Sequence, residues 1–379
     1  MTQKQQIIPS VQRFCDVMEY TAVDRIPNWE AGAWGQARER WITEGADPSQ
    51  VEGSWFDGIE ALGMDLREFI NVNYNMMPGF ERETLEKTEE YEVFRDQRGI
   101  VHKALLTGAV RGTRMCMDQY LSHPVTDRQS FEEMKKRHDP ATPGRYPENW
   151  EQNIPRWKNR ETPLILGRNC STKGFYWRAR EWMGTENLSF AWYDMPDIMH
   201  EMMEFFADFT IEISRPILEK TDVDYVMLAE DLSYKTGPLL SPDTYLEFIF
   251  PRIKRLIDFF KSNGVRYVGV DTDGNPEAVL PHFMDAGVDM IWPLERAADQ
   301  DPVRLRKTFG KGLRLWGGVD KRELAKGKKE IDQHLRSLAP LVEEGGFIPT
   351  VDHTVPPDVS WENFTYYMEQ KEKLLQGRL

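Results

Sequence analysis

YVGVDTDGNPEAVLPHFMDAGVDMIWPLERAADQDPVRLRKTFGKGLRLWGGVDK, residues 267–321, is the stretch that decides the fold. Short apolar runs at Tyr267–Val270, Met290–Trp292 and Leu313–Trp316 alternate with amphipathic stretches at Pro276–Ala286 and Pro302–Phe309. That alternation is the signature of successive βα units. Asp301-Pro302 adds a helix start, with proline in the first turn behind a capping aspartate. Each run is followed by ionisable residues: Asp271-Thr272-Asp273, Glu295 and Asp320-Lys321.

The same pattern extends outward. Pro163–Gly167, Asp224–Leu228 and Gly346–Val351 read as further strands, with helices over Asp197–Leu218, Pro242–Ser262 and Glu330–Glu344. Ile26–Trp29 and Met64–Ile70 bring the predicted strands to eight. Eight strands with intervening helices predict a (β/α)8 TIM barrel, whose active sites sit at the carboxyl ends of the strands. Those ends carry Glu30, Arg168-Asn169, Glu230-Asp231 and Asp352-His353 besides the three already quoted. An open doubly wound sheet is the rival, but no GxGxxG fingerprint or P-loop follows any strand. The chain is read as one domain over 1–379 with an N-terminal elaboration. Within it, residues 71–160 form an inserted hairpin, near Tyr91–Leu106 around Gln97-Arg98-Gly99, and a Pro-rich connector at His138–Trp157.

Of 379 residues, 48 are Lys or Arg and 62 Asp or Glu, a net charge of −14 that disfavours nucleic acid or an anionic membrane as partner. Cys15, Cys116 and Cys170 lie far apart without a CxxC pair, which argues against a disulfide framework or zinc ribbon. With no signal-like N-terminus and no membrane-length apolar run, a cytoplasmic protein is expected.

A family likeness is carried by Gly184-Thr-Glu-Asn-Leu188, by Glu230-Asp-Leu-Ser-Tyr-Lys-Thr-Gly-Pro238 with Ser241-Pro242, by Val270-Asp-Thr-Asp-Gly-Asn275, by Gly317-Gly-Val-Asp-Lys-Arg322 and by Asp352-His-Thr-Val-Pro-Pro357. In order and spacing these resemble the uroporphyrinogen decarboxylase superfamily, which includes the decarboxylase of haem biosynthesis and corrinoid-dependent methyltransferases. The resemblance implies the same barrel. It departs from the decarboxylase at Asp24–Trp34, where Glu30 and aromatic residues stand in place of arginines that hold the substrate's carboxylates. It departs from the thiol-methylating zinc enzymes where His-x-Cys and a later Cys are replaced by Asp271, Asp273 and His353. What remains resembles substrate-side methyltransferases that demethylate methyl ethers.

The catalytic candidates are therefore Glu230, Asp231, Asp271, Lys321 and His353. Asp271, Asp273 and His353 are also candidate ligands for zinc or another divalent ion, with Glu230 as a possible fourth; the alternative is that the aspartates cap a turn, Asp273-Gly274 being a turn dipeptide. Of Glu230 and Asp231, one is expected to be functional and one to pair with Lys235 or Arg178. Lys321 reads as a substrate cation or as the partner of Asp320 and Glu295. The substrate-binding candidates are Glu30, Trp34, Arg168, Asn169, Tyr176, Arg178 and Lys235. The cluster Phe175-Tyr176-Trp177-Arg178 suits an aromatic substrate or flat cofactor, or else the core.

The leading expectation is a methyltransferase moving a methyl group from a methyl ether, such as a methoxylated aromatic compound, or a similar donor to a corrinoid on a separate protein. No corrinoid-binding Asp-x-His-x-x-Gly segment is visible, so that partner is implied by the resemblance. The alternative is a metal-independent decarboxylase acting on a smaller aromatic or pyrrolic acid, and a non-catalytic barrel ranks last. Family members often dimerise, which extends the expectation of a homodimer to this chain.

Overall fold

Seven of the apolar runs become parallel strands of a single sheet: β1 (Glu68–Ile70), β2 (Leu164–Leu166), β3 (Val223–Ala229), β4 (Val265–Asp271), β5 (Met290–Trp292), β6 (Arg314–Trp316) and β7 (Phe347–Ile348), paired in that order. The computed structural model describes residues 8–111, 113–114, 116–168 and 171–379. Strands β2, β5 and β7 are buried at every residue, as expected of parallel strands covered on both faces.

The eighth stave is Ile26–Ala33, which is buried throughout and extended but lacks a regular ladder. Pro27 has no N–H to give to one, so side chains take over. On one flank Asp65 N–H donates to Asn28 O at 2.9 Å, while the Asp65 carboxylate accepts the Asn28 N–H at 2.7 Å. On the other flank Val351 N–H donates to Glu30 Oε2 at 2.9 Å, and Ala33 pairs in parallel with Val355. The first and last strands of the sheet are joined through this segment, and the (β/α)8 barrel closes.

One end of the barrel is plugged. The helix Ser10–Met18 sets Phe14 against Trp29, Tyr225 and Tyr267, with ring centroids 5.4–5.7 Å apart. Tyr225 and Tyr267 lie near the starts of β3 and β4, so the plug covers the amino ends of the strands. The carboxyl ends stay open. Between β1 and β2 the chain makes an antiparallel four-stranded excursion through Glu83–Lys87, Tyr91–Arg95, Val101–Leu105 and Gln119–Ser122. Its central hairpin turns where the sequence places it: the Asp96 carboxylate accepts the N–H groups of Arg98 and Ile100, and Gly99 takes a φ of +83°. Among the described residues no helix is long and apolar enough to cross a membrane.

Glu30 and Lys371 fix the closure. Both side chains are fully buried, and Lys371 Nζ lies 2.6 Å from Glu30 Oε1, which also accepts the Tyr367 hydroxyl at 2.5 Å. Lys371 spends a further proton on Trp29 O at 2.7 Å. The carboxylate thus accepts three hydrogen bonds inside the wall. Removing one partner from such a pair leaves an uncompensated buried charge. Glu30→Gln is therefore expected to cost about 3–5 kcal/mol of stability in urea denaturation, and Glu30→Gln with Lys371→Met to recover part of it.

Candidate active site

The carboxyl ends of β3 to β7 bring a set of titratable side chains to the open face. β4 runs into Asp271-Thr272-Asp273, β5 into Pro293-Leu294-Glu295, and the loops after β6 and β7 supply Lys321 and His353. The turn after β6 is possible only with glycine: Gly317 has φ +111°, and a Cβ there would lie 1.8 Å from Pro293 O.

His353 Nε2 lies 3.6 Å from Asp273 Oδ1, and the imidazole stacks on Trp292 with centroids 6.4 Å apart. Its other nitrogen, Nδ1, is 2.7 Å from Thr354 Oγ1, which accepts the Trp34 indole N–H at 2.9 Å. With that oxygen already accepting, the Thr354 hydroxyl proton is best spent on His353 Nδ1, which leaves the ring proton on Nε2, facing Asp273. Lys321 Nζ sits between Glu295 Oε1 at 3.4 Å and Asp352 Oδ1 at 3.6 Å. Glu295 Oε2 in turn accepts the Gly274 N–H at 2.9 Å. Asp231 forms an ion pair with Arg180.

Negative groups outnumber positive ones here, and the electrostatics follow. Desolvation first, then the nearby charges of Glu295 and Asp231, push the Asp273 carboxyl up to about 7, against the opposing pull of Lys321 and Arg180. Burial and the neighbouring Lys321 hold His353 below its ordinary value. At neutral pH the site therefore holds a carboxyl able to give a proton beside a largely neutral imidazole.

Several sequence candidates fall elsewhere. Glu30 lies inside the wall, bound as described above, and does not line the opening. Glu230 is fully buried and accepts the N–H groups of Phe175 at 3.0 Å and Tyr176 at 2.8 Å, capping the helix Phe175–Met183. Tyr176 and Arg178 belong to that helix and are buried, Arg178 donating to Lys173 O at 3.2 Å and lying over the rings of Phe206 and Phe209. The partner of Asp231 is Arg180, neither Lys235 nor Arg178. Residues two apart on a helix project to different faces, which is why 180 reaches the opening and 178 the core. Lys235 is exposed at the tip of the short hairpin Ser233–Tyr234 and Gly237–Pro238. Arg168 is half-open at the rim, paired with Asp57 at 2.6 Å. Asn169 and Cys170 lie outside the described residues. Asp271 is buried, and its carbonyl accepts the N–H groups of Glu230 at 2.8 Å and Asp231 at 3.3 Å.

The expected metal centre does not assemble. Among the described residues no three His, Cys, Asp or Glu side chains are grouped to hold an ion. Asp273 and His353 stand beside the ammonium of Lys321, a poor neighbour for a cation. Thr354, Trp292 and Arg180 are not among the residues predicted for the site: Thr354 lies within the quoted Asp352–Pro357 segment and Trp292 within a strand run, and Arg180 carries no motif signal. Glu295 was visible as a strand-end acid.

Glu230 tests the division between wall and opening. Its burial raises the carboxyl to about 7, so the folded chain keeps a proton that the unfolded chain releases above its ordinary value. That contribution is full at low pH and is lost as the pH rises through about 7. Glu230→Gln turns an amide N–H towards a backbone N–H and is expected to cost about 1–3 kcal/mol at pH 5, the difference from wild type narrowing towards pH 8 in denaturant titrations.

Comparison with known proteins agrees with this architecture. A methyltransferase from Methanosarcina mazei superposes with a TM-score of 0.57 at 15% identity, covering 96% of this chain and 98% of that one. A B12-independent methionine synthase from Shewanella sp. W3-18-1 covers 92% and 98% at 10% identity, but its TM-score of 0.37 is too low to bear on the fold. No curated protein matches the sequence. The family model for uroporphyrinogen decarboxylase (URO-D) matches residues 179–374, more than half of the chain, and the chain belongs to that family.

Proposed function

We propose that the protein is a methyltransferase that takes a methyl group from a methyl ether, methoxylated aromatic compounds being the leading class, and passes it to a corrinoid carried on a separate protein. The observation that carries this reading is the placement of the Asp273 carboxyl at the open end of the barrel, 3.6 Å from His353 and among the strand-end acids, a setting that pushes its pKa upwards. An alkoxide or phenoxide leaves poorly. A neutral carboxyl held against its oxygen supplies the proton as the carbon–oxygen bond breaks. His353, with Nε2 3.6 Å from Asp273 Oδ1, flanks that carboxyl, which regains its proton from solvent through the open mouth. Lys321, held between Glu295 and Asp352, limits the negative charge that would otherwise push Asp273 higher still. The likeness of fold to the Methanosarcina methyltransferase supports the same class of reaction.

The corrinoid, when bound, supplies the nucleophile that accepts the methyl group. The chain offers a suitable face for it in a cleft lined by Met117, Tyr120, Leu121, Trp177 and Arg180 that reaches Asp231 at the mouth. Met117, Tyr120 and Leu121 are exposed there, which suits a flat group presented by a partner. The same acidic carboxyl also favours a second reading: a carboxy-lyase in which Asp273 protonates the carbanion left by loss of carbon dioxide from a smaller aromatic or pyrrolic acid.

The two readings separate in one assay. With reduced corrinoid and methoxybenzoates, wild type is expected to form methylated corrinoid, and Asp273→Asn to lower the rate by at least about 100-fold. The wild-type rate should fall by about tenfold per pH unit once the pH exceeds the value near 7 at which Asp273 loses its proton. Release of carbon dioxide without corrinoid, and no methylated product, would replace methyl transfer with the lyase.

A further inference from the structure

Arg67 is out of place in an otherwise apolar interior. Its side chain is 6% exposed and lies on the barrel axis, with the guanidinium carbon 4.6 Å from the centre of the Trp29 ring and 5.5 Å from that of Trp316. Phe56 and Phe69 stand 5.8 Å away on further sides. Among the described residues no carboxylate pairs with it. Its single hydrogen bond is a long one, from Nη1 to the Tyr225 hydroxyl at 3.5 Å. Among the described residues Nε and Nη2 have no acceptor, and neither do the indole N–H groups of Trp29 and Trp316, whose rings pack on the guanidinium. Buried donors are almost always satisfied, and a buried cation is normally paired. Here several donors and one positive charge collect with no acceptor among them. Aromatic faces offset part of the charge, but they accept none of the in-plane N–H groups.

The unspent donors adjoin free space. Arg67, Phe56, Phe69, Tyr225, Met227, Trp292 and Trp316 line a cavity within the barrel that also touches Arg168 at the rim. Trp292 is shared with the mouth, where it stacks on His353. Nε and Nη2 form one edge of the guanidinium, the edge that binds both oxygens of a carboxylate in parallel.

We propose that Arg67 is the carboxylate-binding residue of this site, and that the ligand is an organic monocarboxylate on a flat apolar body, seated between the rings with its charged end at Arg67 and its other end towards the mouth. The free volume at the centre is slim, 30 Å3, room for the carboxylate head alone, so the carboxylate leads and the flat body stays on the side of the mouth. That this ligand is the substrate rests on the reading above, in which chemistry occurs at the same mouth; the binding itself does not.

The test is direct binding to the full chain without corrinoid, followed by calorimetry and by the fluorescence of the tryptophans that line the cavity. Benzoate and 4-methoxybenzoate are the probes, with benzamide and 4-methoxybenzamide as neutral counterparts. The acids are expected to bind wild type at least about 30-fold more tightly than the amides, and Arg67→Met to lose that preference. Arg67→Met should also melt no lower than wild type, because it removes an unpaired buried charge, whereas a purely structural arginine would leave the variant less stable. Equal binding of acids and amides, equal binding by wild type and Arg67→Met, or no binding of any acid overturns the proposal. Carboxylate binding without methyl transfer would leave Arg67 assigned and overturn only the reaction proposed above; methyl transfer with binding indifferent to Arg67 would do the reverse.

Discussion

The site depends on one buried carboxylate. Glu30 has no solvent to face, so its charge must be met inside the wall, and it is met from two directions: Lys371 and Tyr367 on the helix Trp361–Leu375, and the Val351 N–H after β7. These bonds tie the first stave to the last and the C-terminal helix to both. Asp352 and His353 follow Val351 directly. The position of the imidazole at the mouth is thus a consequence of how the barrel is closed, and the low dielectric that makes Glu30 costly to leave unpaired is what makes the closure specific.

The mouth works on the opposite principle. Its acids have fewer cations than they need: Lys321 is divided between Glu295 and Asp352, and Arg180 is committed to Asp231. Asp273 is left with the imidazole of His353 at 3.6 Å, which burial keeps from charging readily. A carboxyl without a full counter-charge keeps its proton to higher pH. The raised value of Asp273 owes most to desolvation and next to the strand order, because β3, β4 and β5 are neighbours in the sheet and each ends in an acid.

Much of this was legible in the sequence. Apolar runs bounded by helix starts located the strands, and strand ends located the mouth, because a parallel barrel puts every carboxyl end on one face. What sequence could not give is direction. Glu30 and Glu230 stand at strand ends as surely as Asp273 and His353 do, but those two turn into the wall, where a lysine on a distant helix or a helix start receives them. The first stave is not the ordinary strand that its sequence suggests, because Pro27 has no N–H for a ladder and the next N–H, of Asn28, goes to the Asp65 carboxylate, which lies far along the chain. Arg180 matters through its contact with Asp231, on another element, and such contacts leave no local pattern.

Seen together, floor and mouth have opposite polarity. At the floor Arg67 gathers donors without an acceptor; at the mouth Asp231, Asp273, Glu295 and Asp352 gather acids with too few cations. An anionic ligand entering this gradient has one favourable orientation, charge inward, since the reverse would set a carboxylate against the acids and leave the guanidinium unmet. The aromatic walls between them hold an apolar body without preferring either end. The same polarity that raises the Asp273 carboxyl therefore fixes which end of a bound molecule meets it, and proton donation and substrate orientation become two effects of a single charge arrangement.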